Sequence, residues 1–293
     1  MRHYCFLLAV CFIEYSTCRT VDIVSIVDQS SLFSCMVKVH SIIESSRHAS
    51  LLRFYFLALD NNTVSELQLA LDCFDDIVYN VQVWLPSPTF PNISSKGFDT
   101  EVIYSRIYLP HIFNVNKYIY IDNDVVVNAD LWELDQIPLI PVSISPYTPR
   151  RKQHPPSGSH TTPTPPPRRT QSKAVMGFVY DLNNVHKNYL HKHFNGSNPL
   201  VKQVLAGTDH DLFFNGGVAV VDAKLWRALQ LTQRAEAMIA HNIGDAMYSS
   251  VAVGDQGLFF LLLDGQLASL PAEYNMRRLP NKTVRFLEKD IKG

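Results

Sequence analysis

Cysteine is scarce in this chain: five of its 293 residues are Cys, and three of those, Cys5, Cys11 and Cys18, fall within the first 18 positions. No Cys and His spacing resembles a zinc site. An excess of either charge is missing as well. With 26 Lys and Arg against 27 Asp and Glu, the formal net charge is -1, so there is no electrostatic footprint for nucleic acid or for an anionic membrane surface. Long apolar runs are also absent. The run at the N-terminus, Cys5 to Ile13, falls short of the roughly 20 residues that span a bilayer. No glycine-rich phosphate loop follows the first predicted strand, so a bound diphosphate would have to be neutralised by some other group.

What is present begins with that N-terminal run. A basic start, a brief apolar core and small residues up to Cys18 read as a secretory signal peptide over residues 1–18, with an N-terminal strand or a misplaced gene start as the alternative. Asn-x-Ser/Thr acceptors at Asn61, Asn92, Asn195 and Asn281, in polar stretches read as loops, agree with passage through the secretory pathway. Cys35 and Cys73 both fall on apolar faces of predicted helices and are read as buried thiols.

The 46% hydrophobic content suffices for one large domain, residues 19–293. Strand signals at Val21–Val27, Leu51–Leu59 and Ile77–Val83 alternate with helical ones at Leu32–Ile43, Ser65–Phe74 and Phe98–Phe113. This order predicts an α/β fold with a largely parallel sheet covered on both faces. Residues 149–170, with Pro149-Arg150-Arg151-Lys152 and Pro165-Pro166-Pro167-Arg168-Arg169, lack apolar periodicity and read as a Pro-rich disordered insertion. His186, His191 and His193 share a predicted helix, Asn184–Phe194, with no carboxylate on the same face, and read as solvated.

The chain is organised around Lys117-Tyr118-Ile119-Tyr120-Ile121-Asp122-Asn123-Asp124-Val125-Val126-Val127. Its first five residues form a buried strand. Asp122 and Asp124 then stand where that strand leaves the core, and two carboxylates one residue apart can turn toward one hard cation. A polar turn of Asp and Asn is the plainer alternative.

The flanking segments extend the pattern. Tyr104-Ser105-Arg106-Ile107-Tyr108-Leu109-Pro110 precedes it and Asp130-Leu131-Trp132-Glu133-Leu134 follows. Phe214-Asn215-Gly216-Gly217-Val218 with Asp222 and Trp226-Arg227, Asp255-Gln256, and Leu270-Pro271-Ala272-Glu273-Tyr274-Asn275 come later. Together these resemble the family 8 retaining glycosyltransferases, which include glycogenin, bacterial lipooligosaccharide galactosyltransferases and plant galacturonosyltransferases.

The resemblance implies a single-domain nucleotide-diphospho-sugar transferase fold (GT-A, Rossmann-like) with a mixed, mostly parallel sheet. It implies a UDP-sugar donor, a glycan or glycosylated acceptor, and Mn²⁺ or another divalent cation held by Asp122 and Asp124. Asp28, Arg106, Asn123, Asn215, Gly216 and Gly217 would contact the donor, and Asp255 and Gln256 would act at the reacting sugar, in the Golgi lumen. Two departures stand out: Gln29-Ser30-Ser31 lacks the aromatic expected to stack on the base, and no H-x-x-G-x-x-K-P-W segment, which would add a His to the metal and a Lys to the diphosphate, occurs before Gly293. The latter reads as an incomplete gene model or as a real loss.

Each site residue also has a structural alternative: Asp28 as a helix cap, Arg106 as a partner of Asp130, the glycine pair as a bulge and Asp255 as an N-cap. Two rival functions stay open. One is a catalytically inactive, glycan-binding relative. The other is a haloacid-dehalogenase-type phosphatase with Asp122 as nucleophile. Donor sugar, linkage and oligomeric state are not legible.

Overall fold

The computed structural model describes residues 19–74, 77–85, 104–141, 173–180, 189–206 and 213–275. Outside them lie residues 1–18, read as a signal peptide, the first part of the expected helix Phe98–Phe113, the Pro-rich residues 149–170, His186, Asn92 and Asn281. No helix among the described residues is long and apolar enough to cross a membrane.

Among the described residues, seven strands form one sheet: β1 (Val21–Val27), β2 (Leu52–Ala58), β3 (Val78–Val83), β4 (Tyr118–Ile121), β5 (Met176–Tyr180), β6 (Phe214–Val221) and β7 (Leu267–Ser269). Their order is β3-β2-β1-β4-β6-β5-β7. β1 pairs in parallel with β2 and with β4, while β6 runs antiparallel to both β4 and β5. The sheet is therefore mixed and mostly parallel, as the alternating signals predict. β2 follows β1 on one side and β4 lies on its other side, so the direction of winding reverses between β1 and β4. A crevice opens at the carboxyl ends of strands at such a point. Asp28 directly follows β1 and Asp122 directly follows β4.

Strand alternation sorts two cores. Tyr118 and Tyr120 of β4 face one cluster with Phe178, Phe214, Trp226 and Phe259. Ile119 and Ile121 face the other, with Cys35, Val39 and Ile42 of α1 (Leu32–Ser45) and Leu67 and Leu71 of α2 (Asn61–Leu71). The short helices α3 (Leu109–Ile112) and α4 (Leu131–Gln136) flank β4 in sequence. α5 (Tyr189–His193), α6 (Pro199–Ala206), α7 (Ala223–Ala228), α8 (Leu231–Asp245) and α9 (Ser250–Leu262) make up the rest. Ala174 lies beside Leu139, to whose carbonyl its N–H donates at 3.1 Å.

Several expectations are corrected. The described part of Phe98–Phe113 is a 3-10 turn, Ser105–Tyr108, running into the single turn of α3. Pro110 has no N–H to continue one helix through this stretch and settles in the first turn of the next. α2 begins at Asn61 rather than Ser65, because the Asp60 carboxylate caps it by accepting from Thr63 N–H at 2.8 Å. Asn61 therefore stands in a first helical turn and not in a loop. α2 ends at Leu71, with Asp72 as its C-terminal cap, and Cys73 beyond it is exposed, whereas Cys35 is buried. α9 starts at Ser250, capped by Ser249, and a kink at Gly254 divides it into two helical segments.

At the strand end away from the crevice, Asp22 is half-buried on β1 and its Oδ1 has no hydrogen-bond partner. Burial pushes its carboxyl up from 3.8 to about 6, against the pull of Arg53 and Tyr55. A carboxyl that binds its proton more tightly when folded favours the fold at low pH, and that contribution is lost as pH rises from about 4 to about 6. Allowing for its part exposure, the loss is on the order of 1 kcal/mol. Asp22→Asn should therefore raise the melting temperature by about 2–4 °C at pH 7.5 and give no gain at pH 4. Scanning calorimetry at the two pH values checks this.

Candidate active site

Asp28 leaves β1 in extended backbone and caps the 3-10 turn Gln29–Ser31. Its Oδ1 accepts from Ser31 N–H at 2.8 Å and from Ser30 Oγ at 2.9 Å. Partial burial opposes ionisation, but the hydrogen bonds from Ser31 and Ser30 outweigh it and hold the carboxyl below its ordinary value. The capping alternative thus describes what the side chain does in the free protein. The carboxylate still borders a cavity of about 300 Å³ together with Arg106, Asp122, Asn123, Asp255 and Gln256.

On β4, Tyr120 turns its ring toward Arg106, whose guanidinium carbon sits 3.8 Å from the ring centre. The turn carrying Arg106 is held by Thr232, which donates to Ile107 O at 2.8 Å and accepts from the buried Trp226 indole at 2.9 Å. Arg106 Nη1 lies 3.0 Å from Asp255 Oδ2, and Nη2 donates to Gly216 O at 3.1 Å. Both side chains are buried. Burial pushes the Asp255 carboxyl up, and the guanidinium opposes this. The partner of Arg106 is thus Asp255, not Asp130, which instead caps α4 by accepting from Trp132 N–H at 3.0 Å. Asp255 is not a helix N-cap either. It follows Gly254, whose φ of 51° kinks α9 and is a backbone state open to glycine.

The start of β6 closes the site from the other side. Asp122 N–H donates to Gly217 O at 2.8 Å, extending the β4/β6 ladder. A Cβ on Gly217 would meet Asp122 Oδ2 at 3.3 Å, and one on Gly216 would meet Gln256 Cγ at 2.9 Å. The glycines serve close approach, and the bulge reading holds as well: the β5/β6 register shifts here, from Phe178 opposite Ala219 to Val179 opposite Asn215, which leaves Gly216 and Gly217 within the irregularity. Asn215 Oδ1 accepts from Gly217 N–H at 3.2 Å, and its Nδ2 donates to Asn275 Oδ1 at 3.0 Å. Asp122 and Asp124 border a second cavity, about 350 Å³, with Asn215, Gly217, Tyr274 and Asn275. Asp122 belongs to both cavities.

The sequence-predicted residues Asp28, Arg106, Asp122, Asn123, Asp124, Asn215, Gly216, Gly217, Asp255 and Gln256 are thus gathered at one crevice. Asn123 differs in kind, because its amide is spent inside the protein. Nδ2 donates to Ile26 O at 2.7 Å and to Ser31 Oγ at 3.0 Å, while Oδ1 accepts from Lys38 Nζ at 2.7 Å. Lys38 was missed. Its place three residues after Cys35 and four before Ile42, on the buried face of α1, was the available signal.

The chain matches the family model "Glycosyl transferase family 8" over residues 22–291. It belongs to that family. Among curated relatives it is 23% identical over 266 residues to "Probable galacturonosyltransferase-like 4" of Arabidopsis thaliana, covering 88% of this chain and 65% of the relative. It is 24% identical to "Probable galacturonosyltransferase-like 6" of the same plant, covering 92% and 69%. The family 8 chain thus spans about two thirds of the length of these relatives. Among solved structures, an active-site mutant of LgtC superposes with a TM-score of 0.57 at 16% identity, covering 90% of this chain and 81% of LgtC. Mouse xyloside xylosyltransferase 1 gives 0.57 at 12%, covering 93% and 92%. These likenesses carry the fold, a GT-A glycosyltransferase sheet.

Two carboxylates on one cavity, with glycine leaving Asp122 Oδ2 uncovered, fit the oxygen ligands that a divalent cation takes. Among the described residues, no group of three His, Cys, Asp or Glu is placed to hold a metal, so the Asp pair is the candidate ligand set among them.

Removing one member of the buried Arg106–Asp255 pair strands the other charge. Asp255→Ala should cost about 3–5 kcal/mol of stability, whereas Arg106→Met combined with Asp255→Leu should restore most of it. Urea unfolding of the two variants measures the difference.

Proposed function

We propose that this family 8 chain is a retaining glycosyltransferase that moves a hexosyl group from a UDP-sugar to a hydroxyl of a glycan or glycosylated acceptor. The observation that carries the reading is the crevice between β1 and β4, where Asp28, Arg106, Asp122, Asp255 and Gln256 border one cavity and Asp122 and Asp124 border the next. Asp28 suits the nucleoside end, and Arg106 with the backbone at Gly216 and Gly217 suits the donor sugar. Asp122 and Asp124 would hold a divalent cation, Mn²⁺ by the family resemblance, which screens the diphosphate as charge builds on the leaving group.

In the transfer, the bond from the anomeric carbon to the phosphate oxygen breaks with its electron pair leaving on UDP. A bond to the acceptor oxygen forms, and the acceptor proton goes to the departing diphosphate. Asp255 is engaged with Arg106 and Gln256 carries no charge, which supports same-face attack over a covalent intermediate. Membership of family 8 speaks against the phosphatase alternative. The inactive, glycan-binding relative differs in binding glycan without turning over any donor.

UDP should bind more tightly with Mn²⁺ than with a chelator, on the order of tenfold. Asp122→Ala and Asp124→Ala should each remove that difference while the melting temperature holds. Calorimetric titration of the three proteins tests this, and equal affinity in all of them would falsify the proposal. Donor hydrolysis measured in parallel separates a transferase from an inactive binder.

For location, we propose the secretory pathway, the Golgi lumen in particular, supported by the leader sequence and by the exposed acceptors Asn61 and Asn195. Made in a eukaryotic cell, the protein should shift in mobility on glycosidase treatment, and Asn195→Gln should reduce that shift. An unchanged mobility would count against the location.

A further inference from the structure

Lys38 is 1% exposed. Its three hydrogen bonds go to neutral oxygens: Ser25 Oγ at 2.6 Å, Asn123 Oδ1 at 2.7 Å and Ile121 O at 3.4 Å. Desolvating an ammonium is costly, and an apolar side chain of similar volume would fill the space without that cost. What the ammonium does here is local. Ile121 ends β4 and Asn123 is the centre of the acidic turn, so two of the three bonds fix that turn from beneath.

Asn123 carries the link onward. Its Nδ2 donates to Ser31 Oγ at 3.0 Å, and Ser31 N–H donates to Asp28 Oδ1 at 2.8 Å. One turn further along α1, Ser41 Oγ donates to Lys38 O at 2.7 Å and accepts from Val127 N–H at 3.0 Å. One face of a single helix thereby holds residues 121–127 at both ends and connects them to the tip of β1.

We propose that Lys38 is a positioning residue: it presets the Asp122-Asn123-Asp124 turn and, through Asn123 and Ser31, couples it to the Asp28 tip, so that a nucleoside diphosphate meets a site already formed. The ligand in this proposal rests on the nucleotide-sugar reading, whereas the preset turn does not.

The test compares full-length wild type, Lys38→Met and Lys38→Gln by ligand-free amide hydrogen exchange, thermal melting and calorimetric titration with UDP in Mn²⁺. Lys38→Met should melt at or above the wild-type temperature, as expected when a buried charge is replaced by an apolar chain. It should speed exchange across 121–127 and weaken UDP binding, each by about tenfold, the scale of one hydrogen bond to a charged group. Lys38→Gln keeps a donor for Asn123 or Ser25 and should recover part of both losses.

Unchanged exchange in Lys38→Met overturns the proposal, as does a lowered melting temperature with unchanged UDP affinity, which would make Lys38 a packing residue only. Should Lys38→Met not fold, Asn123→Leu breaks the same link from the other side and is judged by the same two losses. If wild type shows no Mn²⁺-dependent UDP binding, the nucleotide-sugar reading fails, and exchange over 121–127 still decides whether Lys38 presets the turn.

Discussion

Two cations are buried on opposite faces of β4, and the crevice is built around the need to satisfy them. Arg106 lies on the Tyr120 side and finds Asp255, the Gly216 carbonyl and an aromatic face. Lys38 lies on the Ile121 side and finds Ser25, Asn123 and the Ile121 carbonyl. Burying a charge is tolerated only when hydrogen bonds or an opposite charge replace lost water. Each cation therefore fixes its partners closely. Those partners include the ends of β1, β4 and β6 and the kinked start of α9, the four places from which the candidate site residues project. Burial lowers the Lys38 pKa, with Cys35 and then Asp122 among the groups opposing it.

The parts of this arrangement legible in the sequence were the local ones. β1 and β4 announce themselves by unbroken apolar runs, and Asp122 and Asp124 by interrupting one. The two glycines after Asn215 pointed to close approach, which Asp122 and Gln256 supply. Pairing over long separations was not legible. Nothing in the spacing of Arg106 and Asp255 says that they meet, and Asp130 was the nearer guess in sequence. The extent of α9 was hidden because Gly254 breaks the helical pattern with a positive φ while the helix resumes beyond it. Lys38 was passed over because a charged residue in a helix is usually solvated, although its spacing from Cys35 and Ile42 placed it inward.

Cysteine gives a smaller instance of the same lesson. Cys35 and Cys73 carry equivalent signals, each beside apolar residues of a predicted helix. Their fates diverge because Cys35 lies within α1 on its buried face, whereas α2 ends at Leu71 and leaves Cys73 beyond it.

The antiparallel course of β6 also sets the order in which the site is put together as the protein is made. The acidic turn ends a strand, but the backbone that pins it, Gly217 O on Asp122 N–H, opens a strand lying much later in the chain. Synthesis between Asp122 and Gly217 takes on the order of ten seconds at ribosomal rates. During that interval the nascent chain carries α1 and its lysine but not the glycines of β6, so the residues on the β1 side of the crevice are made before those that complete it.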